Sequence, residues 1–162
     1  MRSVWLLRTA ADTARLGAAL AHTCPWGDAG PRLLFLSGEL GAGKTTLAAA
    51  LLEALGAGET VRSPSYALIE TYSLRAGLAV HVDCYRLSEP RELEQLGLRD
   101  YFTARTLWLV EWPEHVSAAL PVPDLTLRLE LTGDGRSGLI EARTSLGEGW
   151  LALVERELPS QT

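Results

Sequence analysis

The sequence contains very little lysine, because its fifteen cationic side chains are fourteen arginines and Lys44. It also has no run of consecutive basic residues, and its formal net charge is −5 at pH 7. A protein that holds a nucleic-acid backbone relies on clustered cations that neutralise the phosphates. The composition therefore argues against direct nucleic-acid binding by this chain alone. The single lysine therefore suggests that position 44 needs the compact point charge of an ammonium, which the planar guanidinium of arginine does not provide.

Long apolar runs are also missing, since no block approaches the ~18 uninterrupted residues of a membrane span. The apolar stretch within Met1–Arg8 is too short to predict a signal peptide. Cys24 and Cys84 are far apart and form no CxxC pair, which predicts two reduced thiols. We therefore expect a cytoplasmic protein that has no membrane anchor. Repeats and linkers are absent as well, so residues 1–162 are predicted to form a single domain.

The hydrophobic pattern alternates between strand and helix signals in the first two thirds of the chain and then becomes a hairpin. Thr9 and Asp12 have the spacing of a capping box that opens a helix. This order predicts an α/β fold with a mainly parallel sheet and antiparallel edge strands. The predicted strands are Val4–Arg8, Arg32–Ser37, Ala67–Leu74, Leu78–Asp83, Thr106–Glu111, Asp124–Leu131 and Gly138–Arg143, and the predicted helices begin at Thr9, Lys44, Ser88 and Trp150 and end near Ala21, Leu55, Gly97 and Leu158.

The segment Gly38–Thr45 reads Gly-Glu-Leu-Gly-Ala-Gly-Lys-Thr and fits the pattern G-x-x-x-x-G-K-[ST]. Its glycines let backbone N–H groups turn towards phosphates, and the following helix start adds partial positive charge there. Lys44 is predicted to reach the β- and γ-phosphates, and the Thr45 hydroxyl is predicted to bind magnesium. An ordinary glycine-rich turn is the weaker alternative, because a predicted strand precedes this loop and a predicted helix follows it.

Two acidic residues end predicted strands, Asp83 after Leu78–Val82 and Glu111 after Leu107–Val110. The carboxyl ends of parallel strands meet at the ligand crevice of an open α/β sheet, so either carboxylate is a candidate magnesium ligand. A plausible division gives Glu111 to the metal and gives Asp83 the task of orienting or deprotonating the attacking water. A capping role in solvent is the alternative for each.

The nucleotide is predicted to be ATP by elimination. Guanine-specific GTPases use an [NT]-K-x-D motif, and this chain has no lysine besides Lys44. It also lacks a D-x-x-G sequence. Ordinary GTPase chemistry is therefore excluded.

Five blocks that occur in order give the sequence a more specific likeness. The blocks are Gly38–Thr46, Ser63–Tyr66, His81–Leu87, Glu92–Glu94 continuing into Gly97–Phe102, and Val110–Glu114. A glycine loop alone is shared by many unrelated families, whereas this set of blocks is not. Together the blocks resemble the TsaE family, the bacterial ATPases of tRNA threonylcarbamoyladenosine biosynthesis, and the likeness covers nearly the whole chain.

The resemblance implies a cytoplasmic ATPase that uses ATP and Mg²⁺ and works with the TsaD–TsaB pair. That pair modifies adenosine 37 of tRNAs that read ANN codons, so tRNA would be met only through the complex. The family also implies roles for individual residues. It implies that the phosphates are bound by Gly41, Ala42, Gly43, Lys44, Thr45 and Thr46. It implies that magnesium is held by Thr45 and Glu111 and that Asp83 has a Walker-B-like role. It also implies that Trp112 lies near the nucleotide and that the adenosine is bordered by Thr9, Ala10 and Arg136.

One position departs from the family, which usually has threonine where this chain has Ser65. Serine keeps the hydroxyl that could sense the γ-phosphate or the metal, so we expect Ser65 to retain a catalytic role. Arg86 has two interpretations, a functional loop residue or the partner of a surface ion pair with Glu89 or Glu92.

Two other functions remain open at this point. A small-molecule kinase would need an acceptor pocket and usually an arginine-bearing lid, and the segment Ser88–Phe102 is ill suited to that lid. A nucleotide sensor without hydrolysis would use the same fold and would differ in the placement of Asp83.

Overall fold

A computed structural model of the protein describes residues 1–58, Val61, Pro64 and residues 68–161. In this part of the chain, strands and helices alternate along most of the sequence. The strands are β1 (Arg2–Leu7), β2 (Arg32–Ser37), β3 (Ile69–Ser73), β4 (Leu78–Asp83), β5 (Thr106–Glu111), β6 (Leu125–Thr132) and β7 (Gly135–Ala142). The helices are α1 (Ala10–His22), α2 (Lys44–Ala54), α3 (Pro90–Gln95) and α4 (Ser145–Glu157), with short 3₁₀ turns at Leu98–Tyr101, Pro113–His115 and Ser117–Ala119.

The described strands form one sheet of seven strands in the order β1-β7-β6-β2-β5-β4-β3. The four central strands, β6, β2, β5 and β4, run parallel to one another. Antiparallel strands complete both edges, β7 and β1 on one side and β3 on the other. The predicted P-loop NTPase-like fold with antiparallel edge strands is confirmed.

Buried residues form a hydrophobic core on each face of the sheet, because successive side chains of a strand point to opposite faces. In β2, Leu34 and Leu36 join the core beneath α1, α2 and α4. Leu33 and Phe35 join the other core, which α3 and the 3₁₀ turns cover. β2 is therefore apolar on both faces, as expected for a central parallel strand.

Three of the four parallel strands have their predicted bounds, and β6 is shifted by one residue from the predicted Asp124–Leu131. The predicted bounds of β2, β4 and β5 are those observed, and the capping box of Thr9 and Asp12 is present at the start of α1. Helix α3 is shorter than the predicted Ser88–Gly97, since it begins after the cap residue Glu89. Helix α4 begins at Ser145 rather than at Trp150, and the Thr144 side chain caps it.

Two predicted segments reach residues that the structure does not describe. The predicted loop Gly58–Ser65 lies partly outside the described residues, and so does the beginning of the predicted strand Ala67–Leu74. The described part of that strand is β3. Within the described part of the chain, no helix combines the length and the apolar composition that crossing a membrane requires.

Candidate functional site

The glycine loop Gly38–Gly43 joins the carboxyl end of β2 to the first residue of α2. Gly38 has φ of +138°, and a Cβ atom there would lie 2.4 Å from the carbonyl oxygen of Leu129. Gly43 has φ of +107°, and a Cβ atom there would lie 3.1 Å from Nε of Arg136. The positive φ favours glycine at both positions, and at Gly38 the backbone of Leu129 also leaves no room for a Cβ atom. The loop brings the N-terminus of α2, with its unpaired N–H groups, to the carboxyl end of the central strand β2.

Lys44, the first residue of α2, is buried with 5% of its surface exposed. Its Nζ donates to the carbonyl oxygens of Gly38 at 2.5 Å and Glu39 at 3.0 Å. The same nitrogen lies 4.2 Å from the centroid of the Trp112 ring. Burial lowers the pKa of Lys44 below its ordinary value, and the negative charges of Glu111, Glu114 and Asp83 oppose that shift. The ammonium therefore lies in a site that already holds acidic groups.

The two predicted carboxylates lie side by side at the carboxyl ends of β4 and β5. Asp83 pairs in register with Glu111, and Glu111 pairs with Leu36 of β2. The strand of Glu111 is therefore the immediate neighbour of the strand that leads into the glycine loop, and Asp83 lies one strand further away. Strand β6 lies on the other side of β2, so the loop stands where the strand order reverses, the usual place of a ligand crevice in such sheets.

These groups line one cavity of about 380 Å³, a size within the usual range of ligand pockets. The cavity brings together the loop, the start of α2 and both carboxylates. Its lining residues in the described part of the chain are Leu40, Gly41, Gly43, Lys44, Thr45, Thr46, Asp83, Tyr85, Arg86, Glu111, Trp112 and Arg136.

Hydrogen bonds fix the two carboxylates in different ways. Oδ1 of Asp83 accepts from the backbone N–H of Tyr85 at 2.9 Å, a turn that the aspartate makes with the residue two positions on. Oε2 of Glu111 lies 2.7 Å from Nε2 of His81, and both of these side chains are buried. Asp83 is therefore held by the backbone, and Glu111 is held by another side chain.

The residues present fit a magnesium nucleotide. Among the described residues there is no group of three or more His, Cys, Asp or Glu side chains that could hold a metal alone. Magnesium is commonly held by one or two carboxylates together with the phosphates of its nucleotide and water. The Thr45 hydroxyl, Glu111 and Asp83 in one cavity with an ammonium suit that mode of binding. These oxygen donors suit a hard cation whose other ligands are the phosphate oxygens of a nucleotide.

Trp112 and Arg136 border the cavity from two sides. Trp112 has φ of +57°, and its N–H donates to the carbonyl of Leu36 at 3.1 Å. Its ring packs against Tyr85 at 5.0 Å and His115 at 5.4 Å between centroids. Nη2 of Arg136 lies 3.5 Å from the carbonyl oxygen of Gly41. The glycine loop therefore lies between an aromatic cluster and a guanidinium.

Three predicted nucleotide-binding residues do not line this cavity in the described structure. Ala42 is fully buried in the core beneath the loop, so its contribution to a ligand would come from its backbone. The side chain of Thr9 accepts from the N–H of Asp12 at the start of α1, and Ala10 is the first residue of that helix. Leu7, the last residue of β1, pairs with Arg136 of β7, so Thr9 and Ala10 follow two and three residues after the partner of this arginine.

Ser65 lies outside the described residues, so its role stays a prediction. Arg86 lines the cavity, which favours a functional loop over a purely surface position. Oε1 of Glu92, one of its two suggested partners, accepts hydrogen bonds from Ser88 and from the backbone of Glu89.

The sequence predictions missed two residues that belong to this site. His81 contacts Glu111, and Tyr85 lines the cavity beside Trp112. A signal for His81 was present, because residues two apart on a strand share a face and His81 precedes Asp83 by two. Tyr85 follows Asp83 in a turn, where no periodic pattern indicates the direction of a side chain.

The strand order, the glycine loop and the carboxylates beside it define an α/β protein with the P-loop NTPase-like fold. The family model described as "Threonylcarbamoyl adenosine biosynthesis protein TsaE" matches residues 7–138. The chain belongs to the TsaE family, as the resemblance of its sequence blocks predicted.

Curated relatives and a solved structure agree with that assignment. The tRNA threonylcarbamoyladenosine biosynthesis protein TsaE of Haemophilus influenzae is 40% identical over 116 residues, which cover 72% of this chain and 73% of the relative. The protein of the same name from Streptomyces coelicolor is 41% identical over 140 residues, which cover 83% of this chain and 91% of the relative. The crystal structure of Bacillus subtilis YdiB matches with a TM-score of 0.78 and 25% identity over 96% of this chain and 95% of that one.

Proposed function

We propose that this chain is a cytoplasmic, magnesium-dependent ATPase of threonylcarbamoyladenosine synthesis. It acts on the TsaD–TsaB complex, which modifies adenosine 37 of tRNAs that read ANN codons. The observation that carries the proposal is the single cavity in which Lys44, Thr45, Asp83 and Glu111 lie together at the glycine loop. Family membership supports the pathway, because the family model and the relatives bear the name of threonylcarbamoyladenosine biosynthesis.

In this proposal the loop and the start of α2 bind the phosphates of ATP. Backbone N–H groups of the loop and of Thr45 and Thr46 donate to phosphate oxygens, and Lys44 turns its ammonium from the Gly38 and Glu39 carbonyls towards them. Trp112 and Arg136 border the nucleotide, and Thr9 and Ala10 complete its adenosine side.

The carboxylates divide the remaining work. Glu111 and the Thr45 hydroxyl hold magnesium, which when bound neutralises charge on the phosphate oxygens. Asp83 orients the attacking water or accepts its proton, because it lies in the same cavity one strand further from the loop. Ser65 keeps its predicted role as a hydroxyl that senses the γ-phosphate.

Phosphate release from ATP tests the proposal, measured for this chain alone and with TsaD and TsaB added. We expect slow release by the chain alone and faster release with the pair, because the proposed role couples hydrolysis to work on the partner complex. A rate of phosphate release that does not change when TsaD and TsaB are added would contradict a role in that complex. Transfer of label from γ-labelled ATP to a small acceptor would indicate a kinase, and tight binding without phosphate release would indicate a sensor.

A further inference from the structure

His81 is a fully buried polar residue that the proposed chemistry does not use. It lies on β4 two residues before Asp83, and both side chains lie on the face of the sheet that α2 covers. Burying an imidazole is unfavourable unless its polar atoms are paired. The neighbour on the same face, Ala79, shows that an apolar residue packs there without that cost. The reason for a histidine at this position must therefore lie in the contacts of its ring nitrogens.

One ring nitrogen contacts a residue of the proposed metal site. Nε2 lies 2.7 Å from Oε2 of Glu111, whose side chain is only 3% exposed. The other nitrogen, Nδ1, is buried and has no hydrogen-bond partner among the described residues. A buried N–H without a partner costs more than a buried lone pair that a neutral imidazole can leave unused. The arrangement therefore assigns the hydrogen to Nε2, which donates it to the Glu111 carboxylate.

We propose that His81 is the positioning residue of the magnesium site. By donating to Oε2, it fixes the rotation of the Glu111 carboxylate and leaves Oε1 as the oxygen for the cation. Ligands of a metal are commonly oriented by such hydrogen bonds, and removal of the outer partner typically weakens metal binding by about 10- to 100-fold. This inference rests on the proposed role of Glu111 as a magnesium ligand.

Two amide variants separate the donated hydrogen bond from the bulk of the ring. In His81→Gln the side-chain nitrogen is three bonds from Cβ, as Nε2 is, so it can still donate to Glu111. In His81→Asn the nitrogen takes the place of Nδ1 and falls short of Glu111. Both replacements are polar amides at the same buried position, so differences in burial largely cancel between them.

The test measures Mn²⁺ binding to the ADP complex of each variant by electron paramagnetic resonance. ADP affinity in EDTA and thermal unfolding report on the metal-free site and the fold. We expect His81→Asn to bind Mn²⁺ about tenfold or more weakly than the wild type, with metal-free ADP affinity unchanged within about twofold. His81→Gln is expected to stay within about threefold of the wild type.

Equal Mn²⁺ affinities for His81→Asn and His81→Gln would overturn the inference. Glu111→Gln distinguishes this failure from a failure of the proposed function. If Glu111→Gln weakens Mn²⁺ binding and His81→Asn does not, the metal site stands and the role of His81 is wrong. If the wild type itself shows no Mn²⁺ binding with ADP, the proposed magnesium site is wrong, and the role of His81 falls with it.

Discussion

Lys44 has partners in and beside the glycine loop that a bound phosphate could replace. Lys44 holds two carbonyl oxygens of the loop and lies against the face of Trp112, a contact of a kind that stabilises by about 0.5–2 kcal/mol. A phosphate oxygen offers an ionised acceptor in place of neutral carbonyls, and the attraction between opposite charges then adds to the hydrogen bond. The same ammonium can therefore support the loop and bind a nucleotide.

Asp83 should matter for turnover and little for binding. Its Oδ1 accepts from the N–H of Tyr85, and asparagine keeps an oxygen that can do the same. In Asp83→Asn the turn survives, while the group that would accept a proton or orient water loses its charge. We expect ATP affinity within about threefold of the wild type and a loss of phosphate release of about 100-fold or more. Titration calorimetry and a phosphate-release assay measure the two quantities, and unchanged release would remove Asp83 from the catalytic residues.

At the scale of elements, the sequence predicts best where one segment carries its own signal. Strands β2, β4 and β5 are short apolar runs ended by polar residues, and their bounds were predicted correctly. The loop Gly38–Gly43 has a spacing set by backbone geometry, so it could be predicted as well. The apolar pattern predicts α4 only from Trp150, whereas the helix begins at Ser145, because its first turn has little apolar periodicity. Its true start depends on Thr144, whose hydroxyl accepts from the N–H of Gly147 and donates to Asp124.

The first two turns of α4 contain two glycines whose substitution should have opposite effects. A Cβ atom on Gly147 would lie 2.0 Å from the carbonyl oxygen of Asp124, whereas a Cβ on Gly149 meets nothing within 4 Å. Gly147→Ala is expected to lower the free energy of unfolding by about 2–3 kcal/mol through overpacking. Gly149→Ala is expected to raise it by about 0.5–1 kcal/mol through helix propensity.

Urea unfolding of the two alanine variants and the wild type measures this difference. The pair is matched because both substitutions add one methyl group to the same helix. If Gly147→Ala were as stable as Gly149→Ala, the close packing of α4 on Asp124 would be wrong.

At the scale of the whole molecule, the site combines parts that local patterns cannot bring together. Arg136 reaches the glycine loop because its strand, β7, pairs with β6, which lies beside β2. The pairing of β7 with β1 brings the start of α1 to the same end of the sheet. The pairing of His81 with Glu111 likewise depends on β4 lying beside β5. Loop residues and strand ends could therefore be predicted from the sequence, whereas cross-strand partners required the strand order.

The two buried cysteines provide a test of the packing as a whole. Burial raises the pKa of the Cys24 and Cys84 thiols to about 12. A thiol with that pKa has about a thousandth of the thiolate of an ordinary cysteine at pH 8, and the thiolate is the reactive form. We expect a disulfide reagent such as dithiobisnitrobenzoate to label neither thiol rapidly in the folded protein at pH 8. Both should react in guanidinium, and rapid labelling of the native chain would contradict the burial of these residues.

Binding of the magnesium nucleotide is the claim on which the proposed function and the role of His81 both depend. Titration calorimetry of the wild type and Lys44→Ala with Mg–ATP, each alone and with TsaD and TsaB, measures it most directly. The wild type is expected to bind one nucleotide per chain, and Lys44→Ala is expected to show no saturable heat, because the only lysine of the chain would be gone. The account is contradicted if the wild type shows no binding in either setting, or if Lys44→Ala binds as the wild type does.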